Sequence, residues 1–153
     1  RRQAMSVSNT TPIVIVGVDG SSNADAAVQW AHQYAESTGA SLRLVVAWEW
    51  PMSYGYPVTL DGFDPEADAA KVAEKVAAGL SLPPDRVTTY VQEGPAGEVL
   101  VDASREADLL VVGRRGHRAI ASRLLGSVSA YCVHHGTTAI VIVRMPDEAA
   151  TAD

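Results

Sequence analysis

The chain has 153 residues, 47% of them hydrophobic, and a formal net charge of −6. That is the size of one domain with enough apolar material for a packed core, and the acidic balance excludes the broad basic surface that nucleic acid or an anionic membrane requires. No run approaches the ~20 apolar residues of a membrane span, and the early stretch "IVIVGV" is too short and wrongly flanked for a secretion signal.

Taken in chain order, "RRQA" before Met5 reads as a leftover of cloning, so residues 1–11 are expected to be that remnant plus a flexible N-terminus. "PIVIVGV" (12–18) predicts the first strand. "SSNADAAVQWAHQYAEST" predicts a helix that opens with Ser22 and Asp25 at capping-box spacing, closes at Gly39, and puts Ala24, Ala27, Val28, Ala31 and Ala35 on one face. The second strand is expected at "LRLVVAW" (42–48). After it, "EWPMSYGYPVTLDGFDP" (49–65) is a loop long enough to be functional or mobile, with Trp48 and Trp50 as its anchor or as cover for a nearby pocket. "DPEADAAKVAEKVAAGL" aligns Val72, Val76 and Leu80 on a second helix with acids in its first turn. "RVTTYVQ" (86–92) predicts the third strand. "PAGEVLVDASREA" predicts a helix with Pro95 at its first position and Val99, Leu100 and Ala103 stacked. "DLLVVG" (108–113) predicts the fourth strand, "SVSAYCVHH" a helix stopping at Gly136, and "AIVIVR" (139–144) the fifth strand. Residues 147–153 are expected to be a flexible tail.

All five strand runs are continuous rather than alternating, the pattern of strands covered on both faces. Strands alternating with helices predict a single α/β domain, residues 12–146, with a parallel sheet and right-handed crossovers. In such sheets a ligand sits beyond the strand C-termini where strand order reverses.

The fourth strand runs into "GRRGHRAIASRLLGS" (113–127). From Leu109 to Pro146 there are five arginines and no acid, so the positive charge of an acidic chain is concentrated here. Gly113 and Gly116 allow a tight turn and close approach of a ligand, Gly126 allows the same at the next helix, and Ser127 is placed to cap that helix. The N–H groups of Val128 and Ser129 would then face an anion. A glycine-rich turn with an ordinary cap explains the same residues without a ligand. One or two of Arg114, Arg115, Arg118 and Arg123 are expected to reach a phosphate and the rest to be solvated. His117 reads as an exposed loop residue. His134 and His135 read as helix C-terminal residues, because no Cys or acid is spaced to complete a metal site. Cys132 is the only cysteine; it cannot form an intrachain disulfide, reads as a buried thiol, and fits a reducing, cytoplasmic location.

Gly113-x-x-Gly116, nine residues, then Gly126-Ser127 resembles the ATP-binding signature of the universal stress protein family. The resemblance extends from Pro12 to Arg144 and includes "VGVDGSSNADAAVQWA" and the final "AIVIV". It implies a nucleotide-binding, Rossmann-like domain with a five-stranded parallel sheet in the order 3-2-1-4-5 and helices on both faces. It also implies that Asp19 lies near the ribose or a magnesium ion, as the metal ligand, and that Gly17 is among the cofactor-binding residues. The backbone at Val46 and Ala47 would hold adenine. Gly113, Arg115, Gly116, Gly126, Ser127, Val128 and Ser129 would take ribose and phosphates. The ligand would be ATP, with magnesium, or another adenine nucleotide such as cyclic AMP, and the protein a homodimer joined through Ala139 to Val143.

The expected function is therefore an adenine-nucleotide-binding regulatory or stress-response protein without fast turnover and without assigned catalytic residues, since Asp19 is the one obvious acid available as a base. A slow ATP hydrolase remains open. So does a phospho-acceptor signalling domain, which needs an acid after the third strand, where Glu93 stands, and a lysine after the fifth, where Arg144 stands. An adenylating pyrophosphatase would need a Ser-Gly-Gly loop that "VDGSSNAD" only approximates.

Overall fold

A computed structural model describes residues 10–116 and 125–145. Counting only strands of the main sheet, β1 is Ile13–Gly17, β2 Ser41–Trp48, β3 Val87–Glu93, β4 Leu109–Gly113 and β5 Ala139–Val143. All pair in parallel, in the order β3-β2-β1-β4-β5. Each strand lies within one residue of its predicted bounds. The helices are α1 (Ser22–Thr38), α2 (Pro65–Ala78), α3 (Ala96–Ser104) and α4 (Ser127–His135). This is the expected fold class.

Side chains alternate across the sheet and build two cores. Val14 and Val16 of β1, Leu42, Leu44 and Val46 of β2 and Val111 of β4 pack with Ala27, Ala31 and Ala35 of α1 and Ala69 and Ala73 of α2. Ile15, Val45, Leu110 and Val112 face the other way, onto Val99, Leu100 and Val101 of α3 and Cys132 of α4. The buried face of α1 is the predicted one, Ala24, Ala27, Val28, Ala31 and Ala35, and Gly39 ends the helix in the left-handed conformation with φ 77°.

Three local expectations are corrected. The α1 cap is Ser21, whose Oγ accepts the Ala24 N–H at 3.2 Å, so the helix starts at Ser22, one residue earlier than a Ser22 cap implies. Pro95 occupies the N-cap of α3 rather than its first turn. β3 is not covered on both faces: Val87 and Val91 pack against the α1/α2 core, while Thr88, Tyr90 and Gln92 are exposed, because β3 is an edge strand that α3 does not reach across. β5, the other edge, is partly open along an entirely apolar sequence.

Arg86, placed by sequence at the start of the third strand, closes a gap instead. Its guanidinium donates to the carbonyls of Ala35, which also accepts the Gly39 N–H, and of Ala40, tying the approach to β3 to the C-terminal end of α1.

Candidate functional site

Strand order reverses at β1, whose neighbours β2 and β4 lead to connections on opposite faces, and a crevice opens past the C-terminal end of β1. Its wall is made by Gly17, Val18 and Asp19 after β1, Val45 and Ala47 of β2, and Gly113, Arg115 and Gly116 after β4, with Ala96 and Leu100 of α3 and Val128 and Ser129 of α4 opposite. The predicted residues Gly17, Asp19, Ala47, Gly113, Arg115, Gly116, Val128 and Ser129 are thus brought together. Ala96 and Leu100 were not foreseen. Their only sequence trace is Gly17, where a Cβ would stand 2.9 Å from Leu100 Cδ1.

Val46 is not part of the wall. Its side chain is buried in the α1/α2 core, and hydrogen-bond parity turns its backbone toward β3. Val45 O accepts from Val18 N on the β1 side at 2.9 Å, and Trp48 O accepts from Gly94 N on the β3 side at 2.9 Å. Successive residues of a parallel strand point their N–H and C=O pairs to opposite sides. Ala47 therefore aims both groups to the β1 side, just past the point where β1 ends, and Val46 does not.

The loop after β4 is fastened by its own main chain. Arg114 N–H donates to Val143 O at 2.9 Å, extending the β4–β5 ladder, and Arg114 O accepts from Gly126 N–H at 2.8 Å and from Ser129 Oγ at 2.9 Å. Ser129 Oγ also reaches Gly126 O at 3.1 Å, so this buried hydroxyl joins the loop to α4. The cap of α4 is Gly126, with φ −69° and ψ 166°, and Ser127 is the first helical residue, a correction to its predicted capping role. Ser127 is exposed, and Gly126 and Ser127 sit beside the crevice rather than in its wall. As at any helix start, the N–H groups of Ser127, Val128 and Ser129 have no intrahelical acceptor.

Each signature glycine has a neighbour where its side chain would be. A Cβ on Gly113 would meet the backbone of Asn23 in α1 at 2.7 and 2.8 Å. One on Gly116 would meet Asp19 Oδ2 at 2.7 Å, and one on Gly126 would meet Arg115 Cα at 3.2 Å. Asp19 is held by its other oxygen, Oδ1, which accepts the Ser21 N–H at 2.9 Å while Gly20 turns with φ 76°. His117, Arg118 and Arg123 lie outside the described residues, as do residues 1–9 and the tail from 146.

The crevice as it stands has a volume of about 70 Å³. That is short of the ~300 Å³ of a small-ligand pocket, and a larger hollow that shares Ala96 and Val128 opens beside it. Arg115 lines the crevice, and its Nε is buried. Asp19 is the one carboxylate in this wall, and among the described residues no three His, Cys, Asp or Glu side chains cluster to hold a metal. A magnesium ion here would take most of its oxygen ligands from phosphates and water.

The remaining candidates are structural. Trp48 and Trp50 meet edge to face at 6.2 Å, and Trp50 and Phe63 at 6.4 Å, anchoring the loop after β2 rather than lining the crevice. His135 stacks on Tyr131, ring centres 4.1 Å apart. Burial pushes the Cys132 thiol up to about 11, so it is protonated and inert at neutral pH. No described helix is long and apolar enough to cross a membrane.

The family model of the universal stress protein family matches residues 11–144. A universal stress protein of Mycolicibacterium smegmatis is 33% identical over 150 residues, covering 90% of this chain and 49% of that protein. The chain spans about half the length of the curated relatives it matches. Among solved structures, universal stress protein UspA from Lactobacillus plantarum superposes with a TM-score of 0.72 at 26% identity, covering 89% of this chain and all of that one. A universal stress protein in complex with cAMP superposes with a TM-score of 0.60 at 31% identity, covering 86% and 96% of the two chains. With its parallel sheet in the order β3-β2-β1-β4-β5 and the family model matched from end to end of the described core, the chain belongs to the universal stress protein family.

Proposed function

We propose that the crevice binds an adenine nucleotide and that the protein acts as a nucleotide-responsive regulator in the stress response. The observation that carries this reading is the convergence, at one sheet end, of the paired N–H and C=O of Ala47, the Asp19 carboxylate and the start of α4. Ala47 offers the donor–acceptor pair that an adenine edge needs, Asp19 accepts from ribose hydroxyls, and the N–H groups of Ser127, Val128 and Ser129 suit a phosphate. Gly113, Arg115 and Gly116 form the floor between ribose and phosphates. The cAMP held by a 31% identical relative supports the same ligand class.

ATP with magnesium at Asp19 and cyclic AMP are both accommodated by these donors. Turnover is expected to be far below the ~1–10³ s⁻¹ of enzymes, because the one carboxylate in the described wall already accepts a backbone N–H. We place the protein in the cytoplasm, with the buried, unpaired Cys132 as support. A homodimer through β5 is part of this reading: its five residues are all apolar and all partly open, whereas the β3 edge carries Thr88, Thr89 and Gln92.

Titration calorimetry with ATP, AMP, cyclic AMP, adenosine and GMP, each with and without magnesium, tests the proposal. Saturable binding of at least one adenine nucleotide, with GMP at least tenfold weaker, is expected. Absence of binding to all of the adenine ligands refutes it, and sustained ATP turnover near 1 s⁻¹ that vanishes in Asp19→Asn would replace it with an enzyme.

A further inference from the structure

One corner of the fold gathers metal-ligating atoms that the crevice does not use. His32 and Glu36 stand four residues apart in α1 and so share one face of the helix, and Ser81, in the connection from α2 to β3, turns its hydroxyl onto both. Ser81 Oγ lies 3.0 Å from His32 Nε2 and 3.1 Å from Glu36 Oε1, and the last two atoms are 3.6 Å apart. The His32 side chain is 14% exposed and that of Glu36 50%, so the imidazole is largely packed in while the carboxylate side opens to water.

That corner is remote from the crevice. α1 ends at Thr38, just before β2 begins at Ser41, and Ser81 precedes β3, so the cluster belongs to the end of the sheet where strands start, whereas the crevice lies where they finish. Arg86, a cation of the same corner, turns its guanidinium to the carbonyls of Ala35 and Ala40, and among the described residues the Glu36 carboxylate has no partners but His32 and Ser81.

Two ligand atoms ~2.1 Å from one ion stand about 3.0 Å apart at a right angle and about 3.4 Å apart at the tetrahedral angle. The three separations here fall close to those values. A triangle of these sides has its centre about 1.9 Å from each corner, so an ion ~2.1 Å from all three atoms rests just above their plane. With the imidazole hydrogen on Nδ1, as a metal-bound Nε2 requires, the lone pairs of three atoms share one hydroxyl proton, an arrangement that favours a cation. A hydrogen-bonded latch alone uses the other tautomer, in which Nε2–H donates to Ser81 and Ser81 donates to Glu36, and such a latch has no affinity for metal.

We infer that His32, Glu36 and Ser81 form a site for a divalent transition-metal ion of the zinc type, with water completing its coordination. One imidazole, one carboxylate and one hydroxyl suit zinc, whereas magnesium and calcium favour ligand sets made of oxygen alone. The bound ion cross-links α1 to the α2–β3 connection and so steadies the entry to the edge strand. It uses no residue of the crevice, and the two sites fill independently.

The test titrates zinc chloride, with cobalt chloride as its spectroscopic counterpart, into the full chain in a non-chelating buffer without nucleotide. Calorimetry should show one saturable zinc site, and Tm should climb with the logarithm of zinc concentration beyond saturation, while equal magnesium moves neither. His32→Gln and Glu36→Gln should each weaken zinc at least tenfold, and the paired change His134→Gln/His135→Gln should leave its affinity within about twofold. Each variant is compared with its own metal-free melt, so a loss of stability on substitution does not hide the result. Ser81→Cys, under a non-thiol reductant, should tighten zinc at least tenfold and give the cobalt complex a thiolate charge-transfer band in the near ultraviolet, and buried Cys132 does not compete. No saturable zinc binding up to millimolar concentration, or binding that survives His32→Gln or Glu36→Gln, overturns the inference and leaves the cluster a hydrogen-bonded latch. Zinc affinity unchanged by Ser81→Cys also overturns the three-residue site.

Discussion

Replacing Gly126 by Asp separates the ligand from the fold. Gly126 caps α4 with backbone angles of −69° and 166°, which an aspartate adopts without strain, and aspartate is among the preferred N-cap residues. Its carboxylate would accept the N–H of Val128 or Ser129 and interact favourably with the helix dipole, together about 1 kcal/mol in favour of the fold. Against this, the new Cβ meets Arg115 Cα at 3.2 Å and Arg114 O at 3.4 Å, so the loop must give by a few tenths of an ångström. The two effects nearly offset, and stability should change by no more than ~1 kcal/mol, a shift of roughly 2–5 °C in Tm for a domain of this size. Binding should behave differently. A phosphate at the start of α4 loses N–H donors, each charge-assisted bond contributing about 1.5–3 kcal/mol, and meets a like charge. A net loss of ~2–4 kcal/mol weakens AMP or cyclic AMP about 30- to 1,000-fold. Adenosine has no phosphate, and its affinity should change less than about threefold. Thermal unfolding with calorimetric titration of AMP and adenosine measures all three quantities. If AMP weakens no more than adenosine while the protein stays folded, the phosphate does not sit at α4 and the site has been assembled wrongly.

Other substitutions probe the frame around the site. Gly113→Ala drives a methyl into the Asn23 backbone, which cannot move without α1, and should cost about 1–3 kcal/mol in urea unfolding; an unchanged midpoint would show that α1 does not pack there. Arg86→Ala leaves the carbonyls of Ala35 and Ala40 without their charged donor and should destabilise by about 2 kcal/mol, with Arg86→Lys recovering only part of it; a loss below ~0.5 kcal/mol would mean water replaces the guanidinium. For the dimer, Val143 O accepts from Arg114, so residues 139, 141 and 143 bond to β4 and it is Ile140 and Ile142 that present N–H groups at the open edge. Ile142→Pro should therefore halve the mass seen by light scattering in a protein that still gives a cooperative melt, and a dimer that survives it excludes pairing through β5.

The strands were legible because a strand covered on both faces has no polar period, and "IVIVG", "LVVAW" and "LLVV" admit no competing reading as surface helices. β3 was found by its β-branched residues but its burial was overestimated, since "VTTYV" carries no sign that it lies at an edge; that depends on how many helices the chain has left to cover it. Ala47 and Val46 could not be told apart for a similar reason. Both end an apolar strand, and only the ladder register, anchored by Val18 on Val45 and Gly94 on Trp48, decides which of them faces the gap. Ser127 was read as the cap of α4 because serine usually outranks glycine there, but the loop returns so closely that Arg115 Cα lies 3.2 Å from a Cβ on residue 126, and a smaller residue holds the position.

The glycine spacing itself illustrates what a motif can and cannot reveal. Three glycines mark three places where something approaches the main chain, and at Gly113 and Gly126 that something is the protein's own backbone. At Gly116 it is the Asp19 carboxylate, the group assigned here to the ribose. The spacing is therefore set first by closure of the β4 loop onto α1 and α4, and closure is what turns the N–H groups of Ser127, Val128 and Ser129 toward the crevice end of the sheet. A substitution at Gly113 acts on the nucleotide only through the fold, whereas one at Gly126 acts on it directly, which is why the two changes should separate stability from affinity in opposite senses.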